Sequence, residues 1–159
     1  LLRPLAPHAA AQVLLRLKLS NAQVERTARR ASAPPIPPAH APDADFRRWI
    51  SAVGRSEPAA VARMDLAAAR AAGTLSGARQ VVASWRRVRA VRAARPPIEV
   101  GDLAVDGRDL IGLGLRPGPR FGEILSALLE RVLDDPARNE RDGLLEEARR
   151  LAGEERGDG

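Results

Sequence analysis

The residues best placed for chemistry lie in a glycine- and proline-rich turn between two helical patterns. The segment reads Gly114-Leu115-Arg116-Pro117-Gly118-Pro119-Arg120. Gly114 suits the left-handed position that ends a helix, and Pro119 suits the first position of the next helix, where no N–H donor is needed. Backbone N–H groups at that start, with Arg116 and Arg120 on either side, could bind a phosphate oxygen. The alternative is that the glycines only allow two helices to pack closely.

A second basic feature is the predicted helix over residues 76–94. At about 100° per residue, its apolar residues Val81, Trp85 and Val88 share one face. The opposite and flanking faces carry Arg79, Arg86, Arg87 and Arg89. Since no Asp or Glu lies between Arg79 and Arg95, these charges favour a phosphate-bearing partner. The alternative is an ordinary solvated arginine face.

The elements that must position these residues are all predicted to be helices, so the fold class is all-α. Apolar periodicity and turn signals place helices over residues 8–18, 20–33, 43–54, 56–73, 76–94, 106–114, 119–134 and 139–153. The expected N-caps are Ser20, Asp43 or Asp45, Ser56, Ser76, Asp106 and Asn139. No strand-like alternation and no internal repeat occur in the sequence.

The chain is predicted to form a helical body followed by a small helical tail. Residues 1–33 are predicted to be the end of a helical body. The proline-rich residues 34–42 are predicted to form a stiff extended linker. Residues 43–95 complete the body with the arginine-rich helix. Residues 96–153 form the tail with a helix-hairpin-helix-like turn, and residues 154–159 are a disordered end.

Charge and composition limit the possible functions. The net charge is +6, with +11 in residues 1–100 and −5 in residues 101–159, which favours a polyanionic partner for the first part. There is no cysteine and there are two histidines, His8 and His40, so disulfides and thiolate or histidine metal clusters are excluded. No signal peptide and no apolar run of about 20 residues occurs, so we expect a cytoplasmic protein without a membrane partner.

Five sequence blocks in the second half of the chain carry a family resemblance. They are Gly107-Arg108-Asp109-Leu110 and residues 113–119, 122–125, 128–133 and 139–145. In this order and spacing they resemble the C-terminal tail of bacterial tRNA nucleotidyltransferases, which are the CCA-adding enzymes and their poly(A) polymerase relatives. Upstream, residues 17–26 resemble a Leu-Ser-Asn segment in the helical body of the same proteins.

The resemblance implies an RNA-binding role. In that family the body and tail hold the upper part of the tRNA and position its 3′ end, through contacts to shape and phosphate backbone. Carried over to this chain, it implies tRNA or another structured RNA as the partner. The implied RNA-binding residues are Arg79, Arg86, Arg87, Arg89, Arg116, Gly118 and Arg120.

The catalytic features of that family are not found in this sequence. Its Gly-Gly-x-x-Arg-Asp turn is absent, and Asp43-Ala44-Asp45 has the family's aspartate spacing but follows the proline-rich segment instead of a strand. The chain also begins in a helical pattern without Met, so we expect the C-terminal part of a longer protein, inactive alone and without catalytic or metal-binding residues. Mg²⁺ and ATP or CTP are expected only for the missing catalytic head, where the choice between CCA and poly(A) addition also lies. The alternatives are a non-specific DNA-binding helix-hairpin-helix adaptor and an inactive gene fragment.

Overall fold

The computed structural model describes Arg30 and residues 32–154, and all regular structure in these residues is helical. The α-helices are α1 (Asp43–Val53), α2 (Pro58–Ala71), α3 (Leu75–Ala93), α4 (Gly107–Gly112), α5 (Pro119–Asp134) and α6 (Arg141–Glu154). Two short 3-10 helices, Val100–Asp102 and Pro136–Arg138, were not predicted. The all-α prediction is confirmed for the described residues. None of these helices is long and apolar enough to cross a bilayer.

Helix ends agree best with the sequence where glycine marks them. Gly54, Gly73 and Gly114 follow α1, α2 and α4 with φ of 87°, 70° and 81°, a region that side chains with a Cβ seldom adopt. α5 occupies the predicted residues 119–134. The helix predicted over 8–18, nearly all of that over 20–33, and residues 155–159 of the predicted disordered end lie outside the described residues. Glu154, also predicted to be disordered, is the last residue of α6.

The predicted N-caps of α1 and α2 are wrong. α1 begins after Pro42, so Asp43 and Asp45 both lie in its first turn, where negative charge favours the positive end of the helix dipole. α2 begins after Glu57 with Pro58 at its first position, so Ser56 is not the cap. Proline fixes this start because its φ is already helical and it has no N–H to satisfy.

Contacts divide the chain into two units. Unit one comprises Leu1–Pro42 and Trp49–Ala90, and unit two comprises Asp43–Arg48 and Val91–Gly159. α1 and α3 therefore each contribute residues to both units.

In unit one the proline-rich segment is held against the helices by hydrogen bonds. The indole N–H of Trp49 donates to the carbonyl oxygen of Pro34 at 2.9 Å. The backbone N–H of Ile36 donates to a carboxylate oxygen of Asp65 at 3.1 Å, and Asp65 is buried. These bonds satisfy polar groups that would otherwise be costly to bury. The segment predicted as a linker thus packs as part of this unit.

The sequence pattern predicts that Val61, Met64, Ala68 and Ala71 lie on the inward face of α2, and the structure differs in part. Val61 is buried, but Ala68 and Ala71 are exposed, and Ala62 and Asp65 are buried instead. Asp65 can be buried because its carboxylate accepts a hydrogen bond from the proline-rich segment. On α1, Phe46, Trp49, Ile50 and Val53 stand at the i, i+3, i+4 and i+7 spacing that predicts the apolar face of a helix, and all four are buried.

The core of unit two lies among α4, α5 and α6. Its buried residues are Val105, Leu110, Ile124, Leu128, Val132, Leu144 and Ala148. On α5, Ile124, Leu128 and Val132 recur every four residues, so they lie along one face of the helix. Each such residue removed from water stabilises the fold by about 1.5–3 kcal/mol.

The start of α4 is stabilised by a capping box. The carboxylate of Asp106 accepts hydrogen bonds from the backbone N–H groups of Arg108 and Asp109 at 2.7 and 3.2 Å. In return, Asp109 accepts one from the backbone N–H of Asp106 at 2.8 Å. This confirms Asp106 as the predicted N-cap and satisfies N–H groups that have no partner within the helix.

Asn139 and Arg141 connect the start of α6 to other parts of unit two. The side-chain oxygen of Asn139 accepts a hydrogen bond from the N–H of Ala104 at 2.8 Å, and its amide donates to the carbonyl of Asp102 at 2.9 Å. Arg141 forms an ion pair with Asp109 at 2.5 Å. Asn139 is therefore not the N-cap of α6, because its side chain bonds the segment before α4. Ser76 is not a cap either, because α3 already includes Leu75.

Replacing Asp109 with Asn should reduce stability at neutral pH and much less in acid. The N–H of Asp106 and the guanidinium of Arg141 hold the pKa of Asp109 below its ordinary value of 3.8. A lowered native pKa adds stability that is complete above 3.8 and is lost as the pH falls through the native value. Urea unfolding of both proteins at neutral pH and at a pH well below 3.8 measures this. Glu123→Gln, at an exposed carboxyl on α5, is the control, and an equal deficit for Asp109→Asn at both pH values would contradict the assignment.

Candidate nucleic-acid interface

α3 presents a row of arginines on one side. Arg79, Arg86 and Arg89 are exposed, whereas Val88 and Ser84 are buried at 0% and 2% exposure. At 100° and 1.5 Å per residue, the three arginines lie within about 80° of each other and span about 15 Å of the helix axis. We call Arg79, Arg86 and Arg89 the α3 arginine stripe. Arg87 is also exposed but lies about 100° around the helix from Arg86.

The stripe has little acidic charge near it in unit one. α3 contains no Asp or Glu, and the carboxylates among the described residues of this unit are Glu57 and Asp65. Glu57 forms an ion pair with Arg30, and Asp65 accepts the N–H of Ile36. Both of these carboxylates therefore already have partners, and α3 itself contributes none.

The turn after α4 is closed by the left-handed glycine that the sequence predicts. The N–H of Leu115 donates to the carbonyl of Leu110 at 3.2 Å, and the N–H of Gly114 donates to that of Ile111 at 2.9 Å. This pair of bonds is the Schellman pattern, which satisfies carbonyls at the end of a helix. Leu115 also packs against the core of unit two, so the turn is fixed from its inner side.

The other end of the turn opens to solvent. Gly118 stands at the N-cap position of α5 with extended backbone (φ 169°), and Pro119 is the first helical residue. A Cβ built at Gly118 would have no neighbour within 4 Å. Arg116 is exposed, and it lines an open concavity together with Gly114, Leu115, Arg120 and Phe121. The turn therefore offers accessible backbone and one exposed guanidinium.

Arg120 has a different environment from Arg116. It is half-buried, and its guanidinium donates to the carbonyl oxygens of Leu151 and Ala152 at 3.4 and 2.9 Å. These carbonyls belong to the last turn of α6, where helical partners are missing. A positive charge at the start of a helix is unfavourable because it faces the positive end of the helix dipole. The position of Arg120 in the first turn of α5 could therefore have indicated, from the sequence, that its guanidinium binds a group outside this helix.

The predicted site residues thus form two groups. Arg79, Arg86 and Arg89 share a face of α3, with Arg87 beside them, whereas Arg116, Gly118 and Arg120 lie at the turn before α5. The described residues hold no group of three or more His, Cys, Asp or Glu side chains that could bind a metal ion. Sequence reasoning missed the structural roles of Asn139 and Arg141, since their partners lie far away in the chain.

Both groups of predicted site residues lie in a part of the chain that matches a known protein family. Residues 76–148 match the family model of tRNA nucleotidyltransferase domain 2. A segment of 64 residues is 39% identical to the CCA-adding enzyme of Limosilactobacillus fermentum, and it covers 40% of this chain and 16% of that enzyme. The chain thus matches only a small part of that relative's length. No solved structure matches it.

Alanine at the two glycines of the turn should affect stability very differently. Gly114 has φ 81°, so Gly114→Ala should lower the free energy of unfolding by about 1 kcal/mol or more. Gly118 has extended backbone and open space, so Gly118→Ala should change it by less than about 0.5 kcal/mol. Urea unfolding at neutral pH compares the two variants with the parent. Equal losses would show that the turn is not closed by a left-handed residue at position 114.

Proposed function

We propose that the chain belongs to the tRNA nucleotidyltransferase family, whose domain 2 model matches residues 76–148, and that it binds tRNA by its phosphate backbone and overall shape. The observation that carries the proposal is the α3 arginine stripe, whose charge is left uncompensated by the carboxylates described in unit one. The turn at residues 114–120 supplies a second, smaller contact through Arg116 and the backbone at Gly118. The chain is thus the RNA-holding part of a CCA-adding or poly(A) polymerase-like protein.

Arginine on a helix face suits this kind of recognition. A guanidinium presents five donors in a planar fork that matches two phosphate oxygens at once. Double-stranded RNA has a deep, narrow major groove that side chains cannot read, so proteins address its backbone and shape instead. Three arginines over about 15 Å can contact several phosphates of one strand, and they require no particular base.

We do not assign nucleotidyl transfer to this chain. Asp43 and Asp45 have the spacing of a metal-binding pair, but both lie in the first turn of α1. Side chains two residues apart on a helix diverge by about 200°, so their carboxylates do not converge on one ion. Asp45 is also 3.8 Å from Arg48. We assign Mg²⁺ and ATP or CTP to a catalytic head of the kind that the resemblance implies, and not to these residues.

Removing the stripe should weaken tRNA binding and reduce its dependence on salt. For the triple change of Arg79, Arg86 and Arg89 to Gln, we expect the slope of log affinity against log salt to fall by up to about 0.9 for each phosphate that is no longer neutralised. Fluorescence anisotropy of labelled tRNA over a range of NaCl concentrations measures the slope. The helical circular dichroism signal should not change.

The matched control is the triple change of Arg108, Arg138 and Arg149 to Gln. It removes the same charge from exposed positions of unit two. If both triples alter the slope equally, net charge and not the stripe governs binding, and the proposal fails. Equal affinity for duplex DNA would instead favour a non-specific DNA-binding adaptor.

The purified chain should not add nucleotides to tRNA. With labelled ATP or CTP, Mg²⁺ and tRNA lacking its 3′ end, we expect no incorporation above that of heat-treated protein. The reason is that nucleotidyl transfer needs divalent ions held by convergent carboxylates to stabilise the developing charge. Incorporation that disappears on Asp45→Asn would overturn this assignment.

A further inference from the structure

The guanidinium of Arg120 binds backbone carbonyl groups of the protein itself. Its guanidinium reaches from the second position of α5 to the carbonyls of Leu151 and Ala152. The last carbonyls of a helix have no partner within the helix and carry the negative end of its dipole. A guanidinium donor there satisfies both the hydrogen bonds and the charge. The same contact joins the first turn of α5 to the last turn of α6.

Resting on the proposed function, we propose that Arg120 is a positioning residue and that Arg116 is the arginine of the turn that contacts RNA phosphate. Arg120 holds the first turn of α5 to the last turn of α6, while Arg116 is exposed. The two arginines, four residues apart and on the same concavity, thus have separate tasks. A sequence pattern that assigns both to phosphate binding does not distinguish them.

Exposure and hydrogen bonding support this division. Arg116 is exposed, whereas Arg120 is half-buried. If the guanidinium of Arg120 turned toward a phosphate, the carbonyls of Leu151 and Ala152 would lose a charged donor, and such hydrogen bonds are stronger than neutral ones. Arg116 incurs no such penalty when it binds an anion. The free-energy balance therefore favours Arg116 as the ligand.

Salt dependence separates the two roles. Arg116→Gln should lower the slope of log tRNA affinity against log salt by about 0.9, the value for one phosphate contact. Arg120→Gln should leave the slope at the parent value, and hydrogen exchange should become faster in the last turn of α6. Arg120→Lys, which keeps a charged donor for the carbonyls, should restore slow exchange. A slope for Arg120→Gln as low as that for Arg116→Gln, with unchanged exchange, would overturn the proposal.

A second measurement uses the parent chain, so it does not depend on any variant folding. In ¹⁵N spectra of the guanidinium groups, the Arg116 signal should shift as tRNA is added, and the Arg120 signal should stay in place. A shift of Arg120 without one of Arg116 would overturn the assignment. If the parent shows no salt-dependent tRNA binding, the proposed function fails, whereas the exchange experiment still decides whether Arg120 holds α5 against α6.

Discussion

Unpaired backbone groups at helix ends are the constraint on which unit two depends. Its helices are short, so many of their N–H and carbonyl groups have no partner within the helix. Side chains from elsewhere supply the partners. Arg47 donates to the carbonyls of Leu133 and Asp134 at the end of α5, both at 2.6 Å, Arg120 does the same for α6, and Asp106 caps α4. The apolar core fills the space between helices whose ends are fixed in this way.

The arginines of the two units differ in whether carboxylates lie close enough to pair with them. In unit two, Arg48 pairs with Glu130 and Asp134, Arg131 pairs with Glu147, and Arg141 pairs with Asp109. In unit one, α3 has arginines but no acidic residue of its own. Many arginines of unit two thus form ion pairs or hydrogen bonds within the fold, and it is on the stripe of unit one that the proposed contact with a polyanion rests.

The sequence predicts the helices well because their signals are local. The apolar stripe of α1, the glycine after α4 and the proline at the start of α5 act within a few residues, so periodicity and backbone preference identify them. The partners of Asn139 and Arg120 lie 35 to 37 and 31 to 32 residues away. No local pattern encodes such contacts, and the same residue types can as easily cap a helix or bind phosphate. The site was therefore predicted as a set of basic residues, without the division of roles within it.

The acidic balance of the tail does not by itself argue against RNA contact. Residues 101–159 have a net charge of −5, but Asp109 and Glu147 are paired with arginines. The backbone N–H of Asp106, followed by Arg141, holds the pKa of Asp109 below its ordinary value, and Arg150 with Arg131 does so for Glu147. An ion pair produces a weak field beyond a Debye length of about 8–10 Å, so these carboxylates repel a distant phosphate little. The electrostatic field that acts on a phosphate at the turn depends mainly on nearby charges that are not paired. The exposed guanidinium of Arg116 lines the concavity at the turn, so the proposed phosphate contact there depends on this side chain more than on the net charge of the tail.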